Sequence, residues 1–359
     1  MLENSCNRTF IIDYIKNKFD TASVNGITIN SVTSFDKEYL SLKESVAIRI
    51  LSGNSIIKFS GKDTLDFLHR VSTNDLKTLE EFHKKNTLFT NEKGRVIDRA
   101  TLIKFNDYLL LLGGKGTQGL LSRWIEKYII MEDIKISDVR NEFTVLEIQG
   151  PQAESYLTQI CGKCIDDLKN DQVKNFEMNE LSASIFKQVD KNNLVKYFII
   201  LKNEEFQQTL DYLLSQNNIF DVNLVGEIAY NHLRIEMGVA ESPNEINDNF
   251  NPYEINLIDE VNFKKGCYIG QEVIARLETY DKVQKKMCRV KLNQLVSSSE
   301  ELVLYNEENK EVGFITSLSP NQHKTIGLAI VRKAFVAENI ILNTIIDNNN
   351  VEVTVSEIK

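Results

Sequence analysis

The sequence lacks several features that would assign it at once to a class of protein. No run of about 18 apolar residues occurs, so a transmembrane helix is not expected. The amino terminus, MLENSCNRTF, shows neither a secretory signal nor the Arg-rich character of a transit peptide. Acidic residues outnumber basic ones by 51 to 42, which argues against a broad nucleic-acid-binding surface. We therefore expect a cytoplasmic protein with no membrane partner and no direct nucleic-acid partner.

Cysteine and histidine are scarce as well. Five cysteines, an odd number scattered over 359 residues, do not resemble a disulfide framework and favour a reducing compartment. The CGKC segment at 161–164 has the spacing of half a metal or redox site, but no second Cys or His pair follows at compatible spacing. We interpret this segment as an ordinary helix end and turn, and we predict no metal site.

What the sequence does contain is a change of pattern near residue 285. Before it, helical and strand-like segments alternate, and RATLIKFNDYLLLLGG predicts a hairpin that turns at Asn106 and Asp107. After it, short β-prone runs are separated by polar clusters, as in a small barrel. The predicted fold class is α+β: a layered body around a central cavity, then an all-β barrel-like domain. The predicted divisions are an extension at 1–37, the body at 38–284 and the barrel at 285–359.

The segment KVQKKMCR, at 282–289, is a short basic run at the start of this β-rich region. Lysines on the edge strand of a sheet discourage pairing with other chains. The run therefore predicts a solvated edge strand, and it is also suited to guide an acidic partner or ligand.

One further segment, FKKGCYIGQEVIAR, raises the question of a reactive thiol at Cys267. Glycines at 266 and 270 permit tight turns and close approach of the backbone, and a helix-like run follows directly. A helix amino terminus and the neighbouring Lys264 and Lys265 both favour a thiolate. A single cysteine is also often a small, buried apolar residue, and the spacing alone favours that interpretation.

The motif K-G-C-Y-I-G-Q-E resembles the signature of the YgfZ family of folate-binding proteins, relatives of the glycine cleavage T-protein. Its residues are Lys265, Gly266, Cys267, Tyr268, Gly270, Gln271 and Glu272. Further segments resemble the family in order, including TNEKGRVIDRATL, FTVLEIQGPQA and HLRIEMG, so the resemblance covers roughly residues 38 to 355. It implies that the protein binds tetrahydrofolate and supports the maturation or repair of iron-sulphur proteins, including a tRNA-modifying enzyme. The partners it implies are iron-sulphur client proteins or their assembly machinery, with Cys267 as the reactive thiol.

Folate binding requires carboxylates for the pterin edge and cations for the anionic tail. Arg234 and Glu236 supply one of each, although residues two apart on a helix do not share a face, and a solvated charged helix is the alternative. The resemblance places Asn74 and Asp75 near the cavity, where they also suit turn or capping roles. The resemblance also implies that Asp98 contacts the folate.

Two departures from the related aminomethyltransferases concern the activity. Those enzymes have two successive acids where this chain has Asp98 and Arg99, and a guanidinium cannot accept a proton as a carboxylate does. Asp98 replaces the missing acid only if the strand register shifts by one residue, which reverses the face of the side chain. The Y-T-G-E segment of the transferases is also not recognisable. The alternatives to an accessory factor are a folate-dependent aminomethyltransferase and a scaffold that has lost folate binding.

Overall fold

The computed structural model describes residues 8–178, 181–190, 193–215, 219–279, 283–296, 302–321 and 324–358. Within these ranges the α-helices are α1 Thr9–Lys18, α2 Phe35–Glu44, α3 Thr64–Val71, α4 Gln118–Glu126, α5 Ala153–Cys161, α6 Lys163–Asp166, α7 Phe206–Leu213, α8 Glu227–Met237 and α9 Gln271–Thr279. The strands before the barrel are β1 Ser23–Asn25, β2 Thr28–Ser31, β3 Val46–Ile50, β4 Asn54–Ser60, β5 His83–Thr90, β6 Val96–Lys104, β7 Leu109–Lys115, β8 Lys135–Asp138, β9 Phe143–Gln149, β10 Val173–Met178, β11 Leu181–Val189, β12 Val195–Lys202 and β13 Val222–Leu224. The barrel strands are β14 Lys285–Leu292, β15 Leu302–Tyr305, β16 Glu311–Asn321, β17 Lys324–Arg332, β18 Ile340–Ile346 and β19 Asn349–Glu357.

A five-stranded antiparallel sheet has the order β5-β6-β7-β4-β8. The predicted hairpin is confirmed, since β6 and β7 pair with Lys104 opposite Leu109. Helices α3 and α4 pack Phe67, Leu68 and Leu121 onto this sheet, forming one of the hydrophobic cores. Strand residues alternate between faces, so the opposite face is left to meet the rest of the body.

The second sheet has six strands in the order β10-β11-β12-β9-β3-β13, and only the short pairing of β13 with β3 is parallel. Helices α1, α5 and α7 cover one face with a core that includes Ile11, Ile15, Tyr156 and Leu210. A separate cluster, which includes Ile103 and Phe186, joins the opposite face to the five-stranded sheet. Two sheets with helices on their outer faces confirm the predicted layered α+β body.

The carboxyl-terminal strands form a closed antiparallel barrel in the order β14-β17-β16-β15-β18-β19, which confirms the predicted all-β region. The prediction that the basic run at 282–289 includes an edge strand was wrong. Strand β14 pairs on one side with β17 and on the other with β19. The reason is closure, because a barrel leaves none of its strands with a free edge.

The segment at 239–270 and helix α9 join the barrel to the body. Phe250, Tyr268 and Ile274 pack against Met287 and Ile330 of the barrel in a mixed cluster. The N–H of Met287 also donates to the carbonyl of Glu254 at 2.7 Å. The cysteine motif therefore lies in a connection that is anchored to two parts of the fold.

Candidate functional site

Cys267 is exposed on the wall of a surface pocket of about 620 Å³. The pocket is lined by Asp66, His69, Arg70, Lys77, Gly266, Cys267, Tyr268 and Ile269. Helix α9 begins four residues after the thiol, at Gln271. The interpretation of Cys267 as a buried apolar residue was therefore wrong, because the surrounding turn presents the thiol to solvent.

The sequence suggested that Lys265 places a free positive charge beside the thiol, but the structure shows its ammonium bound elsewhere. Its side chain is buried, and Nζ donates to the carbonyls of His69, Ser72 and Asn74, the last two at 2.5 and 3.0 Å. Burial lowers the pKa of Lys265 to about 8, with Asp75 opposing the shift. Lys265 thus fastens the cysteine loop to the 69–74 segment, while the adjacent Lys264 is exposed.

The two motif glycines differ in what they contribute. Gly270 has φ +82°, and a Cβ there would lie 2.5 Å from the carbonyl oxygen of Asn91, so no other residue fits without a shift. Thr90 donates to the carbonyl of Ile269 at 2.6 Å and holds the loop on the β5–β6 turn. A Cβ on Gly266 would meet no atom within 4 Å, so the close approach predicted at that position was wrong.

The remaining motif residues anchor the loop or begin helix α9. Tyr268 is buried in the cluster shared with the barrel, and burial raises its pKa to about 12. Its hydroxyl makes no hydrogen bond within the described part of the chain. Gln271 and Glu272 open the helix, and the exposed Glu272 pairs with Arg276 one turn later.

Asn74 and Asp75 take turn roles close to this pocket. Asn74 accepts from the N–H of Asp75 at 2.8 Å and donates to the carbonyl of Asn86 at 2.8 Å. Asp75 accepts from the N–H of Lys77 and lies 3.2 Å from Nδ1 of His69. Burial, followed by the charge of Lys265, lowers the pKa of His69. The wall of the pocket therefore carries a neutral imidazole near neutral pH.

Asp98 forms a separate, fully buried site on β6. Its carboxylate accepts from Thr117 Oγ1 at 2.6 Å, from the N–H groups of Arg99 and Gly114, and from Ser242 Oγ at 3.2 Å. Burial raises the pKa of Asp98 to about 6, although every one of these donors acts to lower it. Four donors hold the carboxylate where water does not reach it.

Arg99 follows Asp98 on the strand but directs its side chain to the other face of the sheet. Its Nε donates to Oε1 of Glu260 at 2.8 Å, and burial is outweighed by this carboxylate, so the pKa of Arg99 is raised. Among the residues that the structure describes, no second acid makes a hydrogen bond beside Asp98 in the place of Arg99. The pairing of Leu88 with Arg99 and of Phe89 with Asp98 sets the two residues on opposite faces, and the irregularity of this ladder lies just beyond Asp98, between Phe89 and Thr90.

Arg234 and Glu236 point to different surroundings, as their spacing predicted. Arg234 is buried and donates to Glu245 Oε2 at 3.0 Å and to Ser317 Oγ of the barrel at 2.7 Å. Glu236 accepts from Tyr39 at 2.6 Å and pairs with Lys43 of α2. Both residues join helix α8 to its neighbours, so the solvated-helix alternative was wrong for Arg234 and the two do not share one site.

The sequence analysis missed a cluster that surrounds a buried ion pair and is called the central charged cluster here: Arg49, Glu147, Lys196 and Tyr230. Arg49 lies 2.8 Å from Glu147 and stacks 3.2 Å from the centroid of the Tyr230 ring. Lys196 Nζ is 3.0 Å from the Tyr230 hydroxyl and 3.6 Å from Glu147 Oε1. Burial acts to raise the pKa of Glu147, but Arg49 and Lys196 prevail and lower it.

A signal for this cluster was present in the strand sequences. Charged residues stand within otherwise apolar strands: Arg49 in VAIRI and Glu147 in FTVLEIQ, both buried, and the half-buried Lys196 near the start of VKYFIILK. Isolated charges are seldom buried unless they are paired, so each of these predicted a buried partner on another strand. The pairing of β3 with β9 and of β9 with β12 brings the three together.

The described residues include no group of three or more His, Cys, Asp or Glu side chains arranged to hold a metal ion. Within those same residues, none of the helices is both long enough and apolar enough to cross a membrane.

Comparison with known proteins identifies relatives along most of the chain. A chloroplastic protein of Arabidopsis thaliana, named as a candidate transferase, is 26% identical over 94% of this chain and 78% of its own length. An aminomethyltransferase of Caldanaerobacter subterraneus is 25% identical over 82% of this chain and 79% of its own. An aminomethyltransferase of Oceanobacillus iheyensis is 27% identical over 78% of this chain and 77% of its own.

The fold also matches a solved structure. The crystal structure of the glycine cleavage system aminomethyltransferase T from Bartonella henselae superimposes with a TM-score of 0.81 over 97% of this chain and 96% of that chain, at 18% identity. At that identity the match shows the shared fold alone. The family described as the GCVT N-terminal domain matches residues 17–265, more than half of the sequence. The chain therefore belongs to the GCVT N-terminal domain family, whose fold is that of the glycine cleavage T-protein.

Proposed function

We propose that this protein binds tetrahydrofolate and supports the maturation or repair of iron-sulphur proteins, with Cys267 as its reactive group. The observation that carries the proposal is the exposed thiol on the pocket wall, in a loop fastened by the three hydrogen bonds of Lys265. A thiol that only filled space would be buried. The YgfZ-like motif around Cys267 supports the iron-sulphur role, including service to tRNA-modifying enzymes.

Folate binding is supported by the fold family and by carboxylates that lie inside the body. A pterin edge presents adjacent N–H donors, and carboxylates are their natural partners. Glu147 Oε1 and Glu260 Oε2 are buried without a hydrogen-bond partner among the described residues, and Asp98 is a third buried carboxylate. Tetrahydrofolate, when bound, supplies amines that carry one-carbon groups.

Aminomethyl transfer is the second candidate, because several relatives carry that name. Asp98 retains one buried carboxylate with a pKa near 6, which suits exchange of a proton with an amine near neutral pH. The guanidinium of Arg99 forms an ion pair with Glu260, and an arginine cannot act as the second acid. The presence of a paired arginine where the transferases have an acid favours the accessory role over the transferase activity. A scaffold without folate is the third possibility, which a binding measurement decides.

The first experiment is calorimetric titration of the purified protein with tetrahydrofolate, comparing wild type with Glu147→Gln and Asp98→Asn. Loss of a charged acceptor costs about 1.5 to 3 kcal/mol, or roughly ten to a hundredfold in affinity. If wild type does not bind tetrahydrofolate, the first two candidates fail and the scaffold that has lost folate binding remains. A transferase assay with an aminomethyl donor on the same preparation separates the second candidate from the first.

The second experiment measures iron-sulphur enzyme activities in a deletion strain that carries wild type, Cys267→Ser or Cys164→Ser. We expect wild type and the Cys164 control to restore activity and Cys267→Ser to fail while still binding tetrahydrofolate. A serine hydroxyl is nearly isosteric but does not ionise in the range of a thiol. Full restoration by Cys267→Ser would contradict the role of the thiol. Fractionation of the same cells tests the predicted cytoplasmic location.

A further inference from the structure

The pocket that holds Cys267 also presents a histidine, and the structure fixes which of its nitrogens carries the proton. His69 retains 7% of its surface and contributes to the pocket wall. Its Nδ1 accepts from the N–H of Leu76 at 3.2 Å, while Asp75 Oδ1, at the same distance, makes no hydrogen bond with it. Burial lowers the pKa of His69, so the ring is neutral near neutral pH and its single proton lies on Nε2. Nε2 is therefore a hydrogen-bond donor.

The Nε2–H group of His69 has no acceptor among the residues that the structure describes. Nε2 is also not one of the fully buried polar atoms that lack a partner, so it is reached from outside the protein. Because little of the side chain is exposed and that part lies on the pocket wall, the N–H faces the pocket. A donor in this position takes its acceptor from solution, as an oxygen of water or of a ligand.

Charged side chains of both signs line the same pocket. Asp66 Oδ1 lies 3.2 Å from Nζ of Lys77, and Asp66 Oδ2 lies 3.3 Å from Nε of Arg70. At least half of each of these three side chains is exposed, and Arg70 is paired with Glu132 as well. Exposed ion pairs contribute little to stability, so the charged groups of a ligand compete for Asp66 and Lys77 at small cost. A wall with an exposed carboxylate and an exposed ammonium suits a ligand that carries both charges.

The space around the thiol is open, while the backbone that carries it is fixed. A Cβ built on Gly266, next to Cys267, meets no atom within 4 Å. The buried Nζ of Lys265 holds the loop through backbone carbonyls that include that of His69. The same lysine thus ties the thiol and the histidine to one support. A volume of about 620 Å³ is typical of sites for small organic molecules.

We propose that this pocket binds the disulfide of an amino-acid thiol or of a short peptide thiol, and that Cys267 forms a mixed disulfide with it. The ammonium of the ligand pairs with Asp66 and its carboxylate with Lys77, while an oxygen of the ligand accepts from Nε2 of His69. The inference rests on the proposed function only in taking Cys267 as the reactive group. It adds the class of molecule with which the thiol reacts.

Thiol–disulfide exchange supplies the chemistry without a further oxidant. The thiolate of Cys267 attacks one sulphur of the ligand, a bond forms between that sulphur and Sγ, and the ligand's own S–S bond breaks. The other half of the ligand leaves as a thiolate and takes up the proton that Cys267 released. One disulfide and one protein thiol are thereby converted to one mixed disulfide and one free thiol.

The test measures how fast the purified full-length chain forms mixed disulfides with four probes. Glutathione disulfide carries ammonium and carboxylate groups, cystamine only ammonium groups, and 3,3′-dithiodipropionate only carboxylates, while 2-hydroxyethyl disulfide is uncharged. Each rate, read by mass spectrometry of the peptide that contains Cys267, is divided by that of the same probe with N-acetylcysteine amide, so that the intrinsic reactivity of the probe cancels. We expect this ratio to be about tenfold higher for glutathione disulfide than for the others, the effect of one or two well-placed hydrogen bonds.

Two variants and a matched control test the charged wall. Lys77→Met and Asp66→Asn should each lower the ratio for glutathione disulfide severalfold, as expected for contacts that solvent reaches, and leave the ratio for 2-hydroxyethyl disulfide unchanged. Lys264→Met removes an exposed lysine that is close to the thiol in sequence but does not line the pocket. This control should behave as wild type with both probes.

A pair of variants at His69 tests the donor. His69→Gln keeps an N–H group and should retain most of the preference for glutathione disulfide, whereas His69→Leu has no donor and should lose it. The rate with 2-hydroxyethyl disulfide is measured for both variants, because an unchanged rate with this probe shows that the loop is intact. If His69→Leu does not fold, the variants of Lys77 and Asp66 decide the question.

The proposal is overturned if wild type reacts with the four probes at equal ratios, or if Lys77→Met and Asp66→Asn both retain the preference of wild type. It is also overturned if Lys264→Met loses the preference to the same extent. These outcomes leave the proposed function standing, because the deletion strain tests the need for Cys267 without regard to any disulfide. Conversely, full restoration of iron-sulphur enzyme activities by Cys267→Ser contradicts the proposed function but not a preference measured on the purified protein.

Discussion

The cysteine loop and the surroundings of Asp98 hold their candidate functional groups in opposite ways. Cys267 is exposed, and the structure fixes the backbone beneath it through the buried Lys265. Asp98 is fully buried, and the structure fixes the carboxylate itself with hydrogen bonds from Thr117, Gly114 and Ser242. The first arrangement leaves the group free to meet a large partner. The second keeps the group out of contact with solvent.

This difference has a consequence for stability and function. A group fixed through its backbone can be changed at the side chain with little effect on folding, whereas a buried charge participates in folding directly. Variants in the cysteine loop should therefore separate activity from stability. Variants among the buried charges, which include the central charged cluster, should couple the two.

The largest expected effect is at the central charged cluster. Arg49→Met leaves Glu147 buried with only Lys196 nearby, and removing one partner of a buried ion pair costs about 3 to 5 kcal/mol. Denaturant unfolding measures this change. Lys310→Met, in an exposed pair with Glu308, is the control and should cost less than about 1 kcal/mol. Equal losses in the two variants would contradict the contrast between buried and exposed charges.

The next effect concerns the pH dependence at Asp98. Its pKa is raised in the folded state, from 3.8 to about 6, so the folded protein holds the proton more tightly than the unfolded chain does. The contribution of Asp98 to stability is therefore most favourable below about pH 4 and declines as the pH rises to about 6, by roughly 3 kcal/mol in total. Comparing the pH dependence of unfolding in wild type and Asp98→Asn isolates this slope. An identical slope in both proteins would contradict it.

A smaller effect is expected for Lys265→Met. The variant removes three hydrogen bonds to carbonyls but also relieves the burial of an ammonium, so we expect a net loss of about 2 kcal/mol. The loop should loosen, and the rate at which Cys267 reacts with a small alkylating reagent should change severalfold. Lys264→Met, one residue away and exposed, should change neither quantity. A change of the same size in both variants would show that positive charge near the thiol affects the reaction rate of Cys267 more than the hydrogen bonds of Lys265 do.

The smallest effect on stability is expected at the thiol itself. Cys267→Ser should change the free energy of unfolding by less than about 0.5 kcal/mol, because the side chain is exposed. Cys288→Ser, in the fully buried core of the barrel, should cost clearly more. Alkylation followed by mass spectrometry should also modify Cys267 before Cys161, Cys164 and Cys288. Faster labelling of Cys288 than of Cys267 would contradict the burial difference.

Local patterns determined much of what the sequence predicted correctly. The hairpin at Asn106 and Asp107, helix α8 and the β-rich end of the chain follow from hydrophobic period and turn residues within a few positions. The different surroundings of Arg234 and Glu236 followed from helical geometry alone. The edge prediction at 282–289 failed because closure of the barrel depends on strands more than 60 residues apart, as in the pairing of Cys288 with Glu357.

For the candidate site, the sequence determined which groups exist and the tertiary structure decided what each one does. The motif identified Cys267, but its exposure, and the use of Lys265 to bind carbonyls 191 to 196 residues away, depend on how distant segments meet. The same holds for Arg49 and Glu147, whose strands β3 and β9 become neighbours only in the folded sheet. A long charged side chain finds its partner across space, and burial then sets its pKa; neither quantity is encoded in nearby sequence positions.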